Sequence, residues 1–276
     1  MRWSNMTVQV SSLSTVDSAA RLLSSDKTAR MLGGGTLLMQ RVNAGDPGIR
    51  KLVRVDDPAL TDISAGGANI SIGAGVTMSQ LLMKPELEFL HSAARCVGGP
   101  AIRNMATLGG NLFARAPYGD LAVLLVALGA EVSLAGQSGS RPVAIERLFE
   151  RSGSAPPLVR AVNIRRPQGQ VMFHKMSRMN PRGPAIVTLA IHLDQSAGRI
   201  REARVALGGV ADRPCLSMGA ARAMGNSRLD DATIERAVTD AMRGIEPRTD
   251  AIASGWYREQ MVQVHLRRAL TQMAGG

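Results

Sequence analysis

The sequence predicts an α+β fold in two parts, on three observations. Short alternating runs and short helical runs interleave over residues 1–168. Beyond them the rhythm changes: strand-like runs come first and helical runs follow, the order of a small separate α+β domain. The length, 276 residues, fits one large domain or two medium ones of about 150 residues. The expected division is 1–168, in subdomains of about 1–55 and 56–168, then 169–276 with a three-stranded sheet plus helices.

The first part opens with an extended segment and a helix near Asp17–Leu23, after Ser14 and Thr15 as alternative N-caps. Arg30-Met31-Leu32 reads as a strand, Gly33-Gly34-Gly35-Thr36 as a turn, and Leu37-Leu38-Met39 as the start of a short helix. Lys51–Val55 and Asn69–Gly73 alternate as strands do. Met78–Leu82 opens a helix halted near Pro85. Residues 89–104 look helical with a break at Gly98-Gly99-Pro100. An apolar helix over Leu121–Leu128 leads to the strand Glu131–Leu134. A composition shift at Ser152–Pro157 precedes the strand Val159–Ile164, which still belongs to the first part. The second part carries strands at 170–176, 185–193 and 201–208, then helices around 217–225, 230–243 and 254–273.

Composition narrows the function classes. Apolar residues make up 45% and charged residues 20%, a mix that can bury a sizeable core. No stretch approaches about 18 uncharged apolar residues, so no spanning helix is expected. Met1–Thr7 leads into no apolar h-region, so no secretory signal is expected and the expected setting is cytoplasmic. Cys96 and Cys215 alone cannot form a four-thiolate metal or cluster site, and no metal ligand is assigned. His91, His174, His192 and His265 show no ligand spacing. The net charge is +11, which fits nucleic acid, an anionic membrane or an acidic partner. The excess is dispersed, however, and aromatics are only 3%, too few for single-strand stacking platforms. No nucleic-acid partner is expected.

Two glycine clusters carry the chemistry. Gly33-Gly34-Gly35-Thr36 and Gly109-Gly110-Asn111 each sit at a turn, where glycine allows positive φ and lets backbone N–H groups converge on an anion. Thr36 and Thr107 add hydroxyls, and a pyrophosphate carries enough charge to use both nests. The alternative is plain turns in a chain with 29 glycines. A third run, Gly73-Ala74-Gly75, starts like a dinucleotide fingerprint, but Met78 replaces its last glycine and no acidic residue follows about twenty positions on. Asp120 heads the apolar helix, as its N-cap or as an acceptor for sugar or polyol hydroxyls.

Arg30–Leu38, Ile102–Leu112 and Pro117–Asp120 resemble the FAD-binding medium subunit of molybdenum hydroxylases, the flavoprotein subunit of the carbon monoxide dehydrogenase and xanthine dehydrogenase family. Val205–Ala211 with Pro214, and Tyr257-Arg258 leading to Arg267–Leu270, are similar to that family's C-terminal domain. The resemblance covers nearly the whole chain in the correct order. It implies a PCMH-type FAD-binding domain with noncovalent FAD between the two parts. Its expected contacts are Met31, Leu32, Gly33, Gly34, Gly35, Thr36, Leu37 and Leu38 on the first loop, and Thr107, Leu108, Gly109, Gly110 and Asn111 on the second. Asp120 reaches the ribityl chain, Val97 lies near the flavin, and Lys175 matches a family lysine. Relatives often carry a polar residue where this chain has Leu37, so backbone N–H groups take more of the phosphate binding. Arg178 and Arg182 either meet an anionic reduced flavin or are surface arginines.

The resemblance further implies an oxidoreductase subunit without a catalytic side chain, the flavin being the redox group. It takes electrons from the [2Fe–2S] clusters of a small subunit, while a large subunit carries the molybdenum cofactor. The acceptor is NAD+, a quinone or another compound, and the assembly a dimer of heterotrimers. The alternatives are a self-contained FAD-dependent oxidoreductase of the same fold, and a basic nucleotide- or nucleic-acid-binding protein without redox chemistry.

Overall fold

The computed structural model describes residues 7–136, 141–150, 157–179 and 183–275. Ser152–Pro156 of the composition shift, and Arg182, fall outside them. Three sheets organise the described chain. In the first, β1 (Gln9–Leu13) and β2 (Ala29–Met31) both run parallel to a central β3 (Lys51–Val55). Parallel neighbours need a crossover, and α1 (Val16–Ser25) supplies it, burying Ala19 against Ala29 and Val53. Of the two N-cap candidates, Thr15 caps the helix by accepting from the Ser18 N–H at 3.3 Å. After the glycine turn comes α2 (Leu38–Asn43).

The second sheet contains β4 (Ile63–Ser64), β5 (Asn69–Gly73), β6 (Glu131–Leu134), β7 (Val143–Ala144) and β8 (Val159–Arg165). Its order is β4-β5-β8-β6-β7, with every pair antiparallel. Thus β8 does belong with the first part. Between β5 and β6 run α3 (Met78–Leu82), α4 (Glu88–Arg95), α5 (Pro100–Met105), α6 (Leu108–Phe113) and α7 (Asp120–Ala127), and α8 (Ile145–Phe149) follows β7. The break at Gly98-Gly99-Pro100 is also a start: Pro100 opens α5, where its missing N–H costs nothing.

The third sheet is antiparallel, in the order β12-β11-β10-β9: β9 (Gln170–Ser177), β10 (Ala185–Ser196), β11 (Arg199–Gly208) and β12 (Cys215–Leu216). The three expected strands therefore gain a fourth. It has two residues, too few for a period-2 pattern to register, and forms only against β11. Then come α9 (Met218–Met224), α10 (Asp231–Asp240) and α11 (Gly255–Ala274).

Both faces of this sheet are covered, so β10 buries every residue from Ala185 to Asp194 and reads as one apolar run. Leu189, Ile191, Leu193, Val205 and Leu207 share a core with Val262, Leu266 and Leu270 of α11. On the other face the small residues Ala190 and Ala206 join the core that contains α7. Helix α7 is buried along its whole length, each Leu or Val contributing about 2 kcal/mol relative to exposure. Gly208 permits its close approach: a Cβ there would stand 2.4 Å from Val123 Cγ2.

Candidate functional site

The first glycine loop begins where β2 stops. Leu32 N–H still donates to Val53 O at 2.8 Å, continuing the ladder beyond Met31. Gly33-Gly34-Gly35-Thr36 then leaves the sheet, with Gly35 at φ 70°. Among the described residues, the N–H groups of Gly33, Gly34, Gly35 and Thr36 meet no backbone acceptor, and none of the four residues is fully buried. Successive free N–H groups around a left-handed residue form an anion-binding concavity. Leu37 and Leu38, at the start of α2, are half-buried and bring no polar group.

The second cluster is not the open turn expected from its glycines. Thr107 caps α6, its Oγ1 accepting from Gly110 N–H at 3.1 Å. Leu108 N–H donates to Val76 O at 2.8 Å, Gly109 N–H to Ala74 O at 2.7 Å and Asn111 N–H to Thr107 O at 2.9 Å. These N–H groups are already used, so the expectation of a second amide nest is corrected: the free donors lie on the first loop. The Gly73–Gly75 run supplies one of the acceptors instead of a dinucleotide turn.

The two clusters meet. A Cβ on Gly33 would stand 2.8 Å from Thr107 Oγ1, and one on Gly34 only 1.6 Å from Met105 O. Backbone faces backbone there, and only glycine at position 34 allows it.

A third group gathers at the head of α7. Asp120 is the first helical residue, whereas the N-cap is Gly119, at φ 90°. The reading of Asp120 as N-cap is therefore corrected. Asn111 Oδ1 does the capping instead, accepting from Ala122 N–H at 3.1 Å, which ties the second cluster to the third group. The Asp120 carboxylate accepts from Lys175 Nζ at 2.6 Å on Oδ2, and Thr188 Oγ1 donates to Oδ1 at a long 3.4 Å. All three side chains are buried. Burial pushes the Asp120 carboxyl above the usual range, against the pull of Lys175 and Thr188. Lys175 Nζ also donates to Cys96 O at 3.3 Å, beside half-buried Val97. Burial, and then the Asp120 charge, raise the Cys96 thiol. Lys175 is thus a strut between the end of α4 and the head of α7.

Other side chains fall elsewhere. Arg178 is exposed and donates to Ile252 O at 2.9 Å, which favours the surface reading; Arg182 lies outside the described residues. His174 on β9 and His265 on α11 stack with ring centroids 4.4 Å apart, a pairing the sequence spacing hid. Thr188 is a polar residue that the sequence reading passed over. Its signal was present: one hydroxyl inside the apolar run Ala185–Leu193. Among the described residues there is no cluster of three or more potential metal ligands, and no described helix is long and apolar enough to cross a membrane.

Residues 6–164 match the family described as the FAD-binding domain in molybdopterin dehydrogenase, and residues 172–273 match the CO dehydrogenase flavoprotein C-terminal domain. Among proteins of known name, the chain is 26% identical over 272 residues to the glyceraldehyde dehydrogenase medium chain of Sulfolobus acidocaldarius, covering 94% of this chain and 96% of that one. It is 28% identical over 267 residues to the carbon monoxide dehydrogenase medium chain of Afipia carboxidovorans, covering 93% of each. Among solved structures, quinoline 2-oxidoreductase from Pseudomonas putida 86 superposes with a TM-score of 0.87 at 26% identity, over 100% of this chain and 99% of the other. Reconstituted CO dehydrogenase from Oligotropha carboxidovorans gives 0.88 at 26% identity, over 98% of each chain.

Proposed function

The chain belongs to the family of FAD-binding domains of molybdopterin dehydrogenases, and from that premise we propose that it is the flavoprotein relay of a molybdenum hydroxylase complex. It accepts electrons from the [2Fe–2S] clusters of a small partner subunit, fed by a large molybdenum-cofactor subunit. It passes them to NAD+, a quinone or another acceptor. The assembly is a dimer of heterotrimers in the cytoplasm. FAD supplies the redox chemistry when bound; the chain's residues bind it noncovalently and orient it.

The observation that carries this reading is the meeting of the Gly33–Thr36 loop, with its N–H groups free of backbone partners, and the Met105–Thr107 turn. The donor set fits a diphosphate: the first loop offers N–H groups, and Thr36 and Thr107 offer hydroxyls. Gly110, exposed beside Thr107, keeps side chains out of that space; Gly109, whose Cβ would meet Ala74 at 3.0 Å, lets α6 pack closely there, while Leu108 and Asn111 anchor α6. Met31, Leu32, Leu37 and Leu38 supply apolar walls. Asp120, held by Lys175, would accept from ribityl hydroxyls, and Val97 would lie near the flavin.

Visible spectroscopy of the purified full-length chain tests this. Flavin absorption that follows the polypeptide, with FAD released intact on denaturation, is the expected result. A colourless preparation that retards nucleic acid, with affinity falling steeply in salt, would overturn it in favour of a basic nucleotide-binding protein. The +11 charge further leads us to expect electrostatic docking of acidic partner surfaces. Co-purification of the partner subunits should then weaken as ionic strength rises; capture indifferent to salt would contradict that docking mode.

A further inference from the structure

We propose that Thr188 is a positioning residue for the cofactor, fixing the orientation of the Asp120 carboxylate from the C-terminal sheet. This rests on the reading that Asp120 contacts FAD. The geometry begins with strand register. Thr188 on β10 lies directly opposite Lys175 on β9 and opposite Gly208 on β11. One row across three strands therefore presents an ammonium, a hydroxyl and a bare backbone to the first turn of α7. The row divides the carboxylate: Lys175 Nζ takes Oδ2 at 2.6 Å, and the Thr188 hydroxyl takes Oδ1 at 3.4 Å. Lys175 alone fixes one oxygen and leaves the carboxylate free to turn about its own axis. The second, weaker donor fixes the plane while leaving Oδ1 acceptor capacity for a ligand hydroxyl.

The neighbourhood supports a role beyond packing. Thr188 is 1% exposed, and its hydroxyl points at a carboxylate beside the small residues Ala190, Ala206 and Gly208 of the same face. A structural residue at such a place would be apolar, because a buried hydroxyl with one long bond contributes little to folding. Lys175 and Thr188 stand on the third sheet and Asp120 on α7, so the hydroxyl acts only when the sheet is seated on α7. Thr188 accordingly couples FAD affinity to the docking of the two parts.

The test is FAD titration of the full-length apoprotein, read by flavin fluorescence and visible spectrum, with thermal melts of each apoprotein alongside. Thr188→Val keeps the shape and removes the hydroxyl; it should raise the Kd for FAD about tenfold and alter the bound flavin spectrum, with an apoprotein Tm close to wild type. Thr188→Ser should restore both. Equal Kd and spectrum for wild type and Thr188→Val overturn the proposal. So does a Ser variant that binds as poorly as Val while melting lower, since that pattern belongs to packing. Should Thr188→Val not fold, Thr188→Ala carries the same comparison against Ser. If wild type itself takes up no FAD, the functional reading falls, a result distinct from either of these.

Discussion

Gly34 and Gly110 are both glycines of the candidate cofactor loops, yet they carry different constraints and predict different failures. A side chain on Gly34 would run into a backbone carbonyl, with Cβ 1.6 Å from Met105 O. Backbone cannot yield as a flexible side chain does, so Gly34→Ala must separate the two segments. The expected outcome is joint loss of FAD binding and a lower apoprotein melting temperature. Gly110 is exposed, and its added Cβ would meet only Thr107 Oγ1, at 3.0 Å. Gly110→Val should leave the apoprotein folded, since β-branching in a six-residue helix costs well under about 1 kcal/mol. It should nevertheless lower the flavin-to-protein absorbance ratio by filling space beside the first loop. Full flavin content in Gly110→Val would remove α6 from the site.

At the scale of elements, the edge strand β9 and the long helix α11 meet through two stacked imidazoles, and that contact has a pH signature. Burial, the neighbouring His174 and Arg268 hold His265 down at about 4; burial and Arg268 lower His174 as well. The unfolded chain thus binds protons that the folded chain refuses. Stability from this pair is complete above the ordinary histidine range, near 6.5, and is lost as pH falls toward about 4. His265→Gln should flatten the dependence of Tm on pH across that interval; an unchanged slope would place the titration elsewhere. Sequence order gave no hint of this pairing, and the contrast is instructive. Helix α3 was legible to both ends because the run Met78–Leu82 is halted by nearby Pro85. Strand β6 was legible because Glu131–Leu134 alternates locally. The two glycine clusters were legible as a composition signal. What their N–H groups do was not, since Leu108 and Gly109 donate to carbonyls more than thirty residues away. The partners of Thr188 escaped because register with β9 and β11 defines them, and β12 escaped because two residues are too few to show alternation.

Across the whole molecule, α7 joins the first part to the third sheet, and it is held at both ends. At its head, Lys175 and Thr188 reach Asp120 from the third sheet. At its tail, Arg204 on β11 donates to Val126 O at 2.9 Å and Ala127 O at 3.2 Å, and pairs with Glu146 of α8 at 2.5 Å. A cation over the last turn satisfies carbonyls that have no helical partner and complements the helix dipole. Arg204→Met keeps the aliphatic stem but takes the donor from Ala127 O and Glu146 and one of the donors from Val126 O, which keeps the Gly129 N–H at 3.1 Å, a loss of about 2 kcal/mol. Denaturant melts should show it, together with faster amide exchange in the last turn of α7. The two ends of an eight-residue helix lie about 10 Å apart, a separation at which perturbations without shared partners add independently. FAD affinity in Arg204→Met should therefore stay near wild type while stability falls. If affinity fell with it, α7 would be transmitting strain from tail to head. The cofactor site would then depend on the whole seam between the two parts and not on the Asp120 end alone.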